Sequence, residues 1–166
     1  LVSSIDFVSG LGGFELVDKI NGTNGDEPLL FVSGGRMAMS ASSFSGGTAN
    51  LSASLDVGSI YKVEFDFNRE TLSGVDFNVI NPAGDLLNND ITGFQESLTS
   101  TATYKMAFTA SASGLHKLQF SYFDNNGDDG SAGSIDNFLF FKHEDQTSLV
   151  FDQFSVNVNG LPSTYF

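Results

Sequence analysis

The chain has 166 residues, a formal net charge of −13 from 20 acidic and 7 basic side chains, and no cysteine. That length suits one domain with its own core, while the missing cysteines exclude a disulfide framework and any thiolate metal site. Seven scattered cations cannot form the basic stripe that nucleic acid or an anionic membrane requires, and no run of eighteen apolar residues is present to span a bilayer.

In chain order, the pattern alternates turns with short stretches of period two. Turn chemistry marks Asn21-Gly22-Thr23-Asn24-Gly25-Asp26-Glu27, then Ser33-Gly34-Gly35 and Ser45-Gly46-Gly47. Tyr61 to Asn68 alternates apolar and polar residues without a fault, as a half-buried strand does. Val75 to Val79 repeats the pattern before a turn at Asn81-Pro82-Ala83-Gly84-Asp85. Tyr104 to Phe108 and Leu118 to Tyr122 follow, separated by Ser111-Ala112-Ser113-Gly114. Ile135 to Phe141 is apolar on both faces and reads as a central strand. Leu149 to Val158 supplies another strand, so that residues 1–158 form the domain and 159–166 a tail or linker. Many short strands with no amphipathic helix predict an all-β antiparallel sandwich. The 17 phenylalanines, against 4 tyrosines and no tryptophan, are read mainly as core filler.

The most chemically suggestive segment is Asp124-Asn125-Asn126-Gly127-Asp128-Asp129-Gly130. Asp124, Asn126 and Asp128 offer side-chain oxygens at alternate positions, and calcium takes six to eight oxygen ligands. Gly130 and Asp136 each lie one place beyond the glycine and terminal acid of an EF-hand loop, as in a loop with one extra residue. The same residue types also build polar turns. Bound calcium would relieve the self-repulsion of so acidic a chain. Asp136 sits among apolar residues and needs a cation or strong donors. For Glu15, an exposed strand charge is as good a reading as an ion ligand.

Several motifs resemble those of jelly-roll carbohydrate-binding modules with the galactose-binding-like fold. Gly12-Gly13-Phe14-Glu15 is similar to their opening, Ser33 to Met39 to their second segment, and Leu55 to Val63 to the approach to their central strand. Phe108 to Gly114 and Ile135-Asp136-Asn137-Phe138 resemble their closing segments. The resemblance covers residues 5–142 and implies a jelly roll in which Glu15 and Asp136 share a structural calcium. Two departures are plain: the family stacks sugars on tryptophan or tyrosine whereas this chain has no tryptophan, and the strand expected from Leu149 to Val158 continues past the point where the family's modules end. The acidic, cysteine-free style also resembles ligand-binding domains of large bacterial calcium-dependent adhesins of the RTX type.

Catalysis has little to work with. His116 and His143 are the only histidines and read as solvated, no G-x-S-x-G elbow is present, and no helix follows a glycine loop to bind phosphate. The expectation is a non-enzymatic, calcium-dependent adhesion module of an exported, surface-attached protein, monomeric as an isolated domain, that recognises an extracellular glycan or peptide. Tyr122, Asn125, Asp128 and Asp129 are the candidate ligand contacts, with Asp124, Asn126, Asp128, Gly130, Asp136 and Glu15 around the ion. The alternatives are a carbohydrate-binding module of a polysaccharide-degrading enzyme and a calcium-rigidified spacer. The absence of a leader ahead of Leu1 makes the chain read as a piece of something longer.

Overall fold

The computed structural model describes residues 3–72, 74–84, 95–125 and 131–143. The strands are β1 (Ser3–Ile5), β2 (Glu15–Ile20), β3 (Leu29–Ser33), β4 (Arg36–Ala41), β5 (Gly46–Leu55) and β6 (Ile60–Asn68). They continue with β7 (Gly74–Ile80), β8 (Gln95–Ser97), β9 (Ala102–Thr109), β10 (Gly114–Phe123) and β11 (Ser131–Lys142). Two antiparallel sheets result. One runs β3-β4-β11-β6-β9 with β1 added against β11, and the other runs β2-β5-β10-β7-β8. This is the all-β sandwich expected from the period-two pattern, and β11 is central as its apolar run predicts.

The core between the sheets is largely phenylalanine. Phe65 and Phe138 of one sheet meet Phe120 of the other at ring-centroid distances of 5.0 and 6.3 Å. Phe14, arriving just before β2, bridges Phe138 edge-on at 5.3 Å and Phe120 at 5.8 Å. Each such ring, fully buried, contributes roughly 1.5–3 kcal/mol of transfer free energy. The strict alternation of β6, with Tyr61, Val63, Phe65 and Phe67 inward, fixes its register because a one-residue slip would expose all four.

Two details depart from the sequence expectations. Ser45-Gly46-Gly47 is not a turn: the chain reverses over residues 42–45, and Gly46 already lies in β5. Its glycine identity serves close approach, since a Cβ there would sit 2.5 Å from the Phe123 ring. His116 is fully buried rather than solvated, its Nδ1 3.0 Å from the Gly114 carbonyl, because β10 turns that position toward the core. His143 is exposed, as expected. The segments Leu149 to Val158 and 159–166 lie outside the described residues.

Candidate functional site

The outward face of the five-stranded sheet carries the polar half of every alternating strand. Pairing sets these side chains in rows that cross the sheet. In one row Glu15 of β2 lies opposite Asn50 of β5, which lies opposite Gln119 of β10, which lies opposite Asn78 of β7. In the next, Val17, Thr48, Ser121 and Asp76 follow in the same strand order. The register of β2 shifts between Val17 and Ile20, and within that irregularity Asp18 adopts a positive φ of 49°. Bulges re-aim side chains, and here the Asp18 carboxylate accepts a hydrogen bond from the Thr48 hydroxyl at 3.3 Å.

Parts of these rows line a trough, while Gln119 and Asn78 are buried and border neither of its hollows. One hollow of about 560 Å³ is bounded by Gly13, Glu15, Asp18, Asn50, Ser52 and Lys117. A second, of about 380 Å³, is bounded by Asp18, Ile20, Thr48, Asp76, Ser121 and Asn125, so Asp18 stands where the two meet. The sheet floor is only partly satisfied. Asn78 Nδ2 donates to Gln119 Oε1 at 3.4 Å and to Ser121 Oγ at 3.3 Å, and the Ser121 hydroxyl donates to Gln119 Oε1 at 3.0 Å. Asn50 and Asn78, 8% and 4% exposed, each keep a buried Oδ1 with no hydrogen-bond partner among the described residues. Leaving a buried acceptor unpaired costs roughly 1–3 kcal/mol, so such atoms call for a donor beyond the described residues.

The opposite outward face also carries hollows, of about 500 Å³ beside Arg36, Asp66 and Thr103 and about 390 Å³ beside Glu64 and Lys105, but its polar side chains pair with one another. Arg36 of β4 donates from Nε to Ser134 Oγ at 2.9 Å, from Nη1 to Asp136 at 3.2 Å and from Nη2 to the Asp66 carbonyl at 3.4 Å. Asp66 accepts from Asn137 Nδ2 at 2.8 Å and from the Thr103 hydroxyl at 2.5 Å. Those two hydrogen bonds, aided by Arg36 and Lys105 and opposed by burial, hold the Asp66 carboxyl below its ordinary value. Lys105 and Glu64 pair at 2.8 Å beside this network.

The residues singled out from the sequence scatter over this scaffold. Asn126, Asp128, Asp129 and Gly130 lie outside the described residues. Asp124 is fully buried at the end of β10, where its Oδ2 accepts from the Phe44 N–H at 3.4 Å and its own N–H donates to the Ser45 carbonyl at 3.0 Å. Asn125 lines the second hollow. Tyr122 is a correction. It points into the core, 2% exposed, its hydroxyl donates to the Leu29 carbonyl at 2.9 Å, and burial pushes its phenol far above the ordinary range. A ring so placed offers no stacking surface. Glu15 and Asp136 stand on different sheets, Glu15 on the trough rim and Asp136 against Arg36, so the structure does not bring them together. Among the described residues no three His, Cys, Asp or Glu side chains are grouped to hold a metal ion. The trough residues Asn50, Asp18 and Lys117, and the buried Asn78 and Gln119 in the same row, have no counterpart among the sequence expectations. Their available signal was amide and hydroxyl residues recurring at alternate strand positions, as in Asn50-Leu51-Ser52 and Gln119-Phe120-Ser121.

The fold has clear counterparts among solved structures. The apo CBM1 of BiXyn10A superposes with a TM-score of 0.62 at 15% identity, over 87% of this chain and 99% of that one. A CBM4 structure gives 0.57 at 15% identity over 79% and 95%. A variant of CBM29-2, a family 29 carbohydrate binding module, gives 0.52 at 16% identity over 84% and 89%. No protein-family model matches the chain, and no curated protein matches its sequence. The architecture is therefore the jelly-roll β-sandwich of carbohydrate-binding modules, as the motif order implied.

Proposed function

We propose that this domain is a non-catalytic carbohydrate-binding module whose glycan lies in the trough on the five-stranded sheet. The observation that carries the reading is the row Glu15-Asn50-Gln119-Asn78 beside the two hollows, in which two buried amide oxygens have no donor among the described residues. Sugar hydroxyls donate to the Glu15, Asp18 and Asp76 carboxylates around the trough and accept from Lys117 and Ser52. Fold counterparts support the same reading, since one was solved with mannohexaose bound. Together these favour the module of a polysaccharide-degrading protein over a peptide-binding adhesion module. An exported setting follows from an extracellular polysaccharide ligand.

Calcium remains part of the proposal as a structural ion. Of the loop residues named for it, Asp124 is buried at the base of the loop and Asn125 borders the trough, a position from which an ion would order the trough's end. Asp136 already has a cation beside it in Arg36.

The test is affinity electrophoresis and calorimetry against mannan, xylan, cellulosic β-glucan and a peptide array, for the wild type and Asn50→Ala. Retardation by at least one polysaccharide, weakened about tenfold by the substitution (about 1.4 kcal/mol), is the expected result. Binding confined to peptides, or polysaccharide binding indifferent to Asn50, would overturn it.

A further inference from the structure

The charged groups on the trough are unbalanced. Among the described lining residues they are Glu15, Asp18 and Asp76 against Lys117 alone. Asp18 is set by the β2 irregularity at the junction of the two hollows, at a backbone angle that residues other than glycine seldom adopt. The carboxylates stand on both sides of the hydroxyl and amide floor, with Asp18 on the outer strand β2 and Asp76 three strands away on β7, a span of about 14 Å at ordinary strand spacing. A glycan lying along the floor passes between them. Asn50 borders the same hollow as Glu15, Asp18 and Lys117, with its Oδ1 buried below the surface and without a partner among the described residues. The trough is thus rich in acceptors and negative in sign, and both properties ask the ligand for donors and positive charge.

We propose that the trough selects glycans carrying free amino groups, unacetylated glucosamine or galactosamine units, over their N-acetylated and uronic-acid counterparts. This rests on the carbohydrate-binding reading and assigns its substrate class. An ammonium has three donors and no acceptor, so it pairs with the Glu15 and Asp18 carboxylates that border one hollow. Acetylation removes the charge and two of those donors and adds bulk. A uronate brings a further negative charge to a trough that already holds three, a mismatch that costs affinity even under physiological screening.

The experiment is calorimetry on the whole chain with short oligomers of glucosamine, N-acetylglucosamine, mannose and a uronic acid. It is run at one pH that protonates the sugar amine and at another that does not. The glucosamine oligomer should bind about tenfold tighter than its acetylated counterpart when protonated, and lose that margin when neutral. Glu15→Gln with Asp18→Asn keeps acceptor oxygens while removing charge, and should bring the ratio to about one. Lys117→Gln should widen it. Asp56→Asn with Glu70→Gln changes charge by the same amount away from the trough and should leave the ratio alone. Thermal melts establish that each variant is folded. If the off-trough pair lowers the ratio as much as the trough pair, the preference is general attraction to an acidic protein and the inference falls. It falls also if uronates bind tightest, or if mannose and glucosamine oligomers bind alike, although glycan binding itself would then stand. Binding of no saccharide at all would remove the carbohydrate-binding reading and this inference with it.

Discussion

The two outward faces of this sandwich are built from the same alternating strands and end in opposite states. On the six-stranded sheet, Arg36, Asp66, Asp136, Asn137 and Thr103 satisfy one another, and Lys105 meets Glu64. On the five-stranded sheet, Asn50 and Asn78 hold amide oxygens that no described residue reaches. Opposite charges neutralise each other across neighbouring strands at little cost when partly exposed. A row of amides and like-charged carboxylates cannot do so, and it stays poised for an outside donor. A polar face is therefore not by itself a site. The distinction lies in which hydrogen bonds are left over.

That contrast can be strained most by calcium. An ion bound by the Asp124 loop only in the folded state would stabilise by about 2.7 kcal/mol at a hundredfold excess over its Kd. Melts in millimolar calcium should then lie several degrees above melts in EDTA, and glycan affinity at the Asn125 end of the trough should fall with the chelator. Identical melts would end the calcium proposal. An ordinary trough affinity in EDTA would confine any ion to stability alone.

A smaller effect separates the faces directly. Replacing Arg36 with Leu leaves Asp136 without its cation and Ser134 without its donor, in a setting about a quarter exposed. Stability should drop by about 1 kcal/mol, since partial exposure screens the pair, while trough affinity stays unchanged. Denaturant melts and calorimetry on one preparation check both halves. A loss of affinity would mean that the paired face also serves the ligand.

The smallest effect is the acid limb of stability. Because hydrogen bonds from Asn137 and Thr103 depress Asp66 in the folded state, its contribution is fully present above the unfolded carboxyl pKa, about 3.9. It is lost as pH falls through the lower folded value. Asp66→Asn should therefore flatten the decline in stability below about pH 4 and change little at neutrality. An unchanged acid limb would show that the network around Asp66 carries no weight.

How much of this was legible in the chain differs between framework and site. Period-two runs such as Tyr61 to Asn68 determined strands and inward faces, because a half-buried strand has only one register that hides its phenylalanines. Turn chemistry located the hairpin at Gly34-Gly35, whose two positive φ angles suit a two-residue reversal. The ordered motifs then pointed to the jelly roll. Tyr122 shows where local reading stops. Next to an aspartate-rich loop it looks like a ligand platform, yet alternation from Phe120 turns it into the core. Glu15 and Asp136 likewise have suitable chemistry, but their strands enter different sheets. The trough depended wholly on tertiary structure. Asn50, Asn78 and Gln119 come from strands far apart in sequence, and only antiparallel pairing across β5, β10 and β7 lines them up. Composition and periodicity state which side chains a strand turns outward. Whether those side chains find partners depends on which strand lies alongside, and that is decided when the sheets assemble.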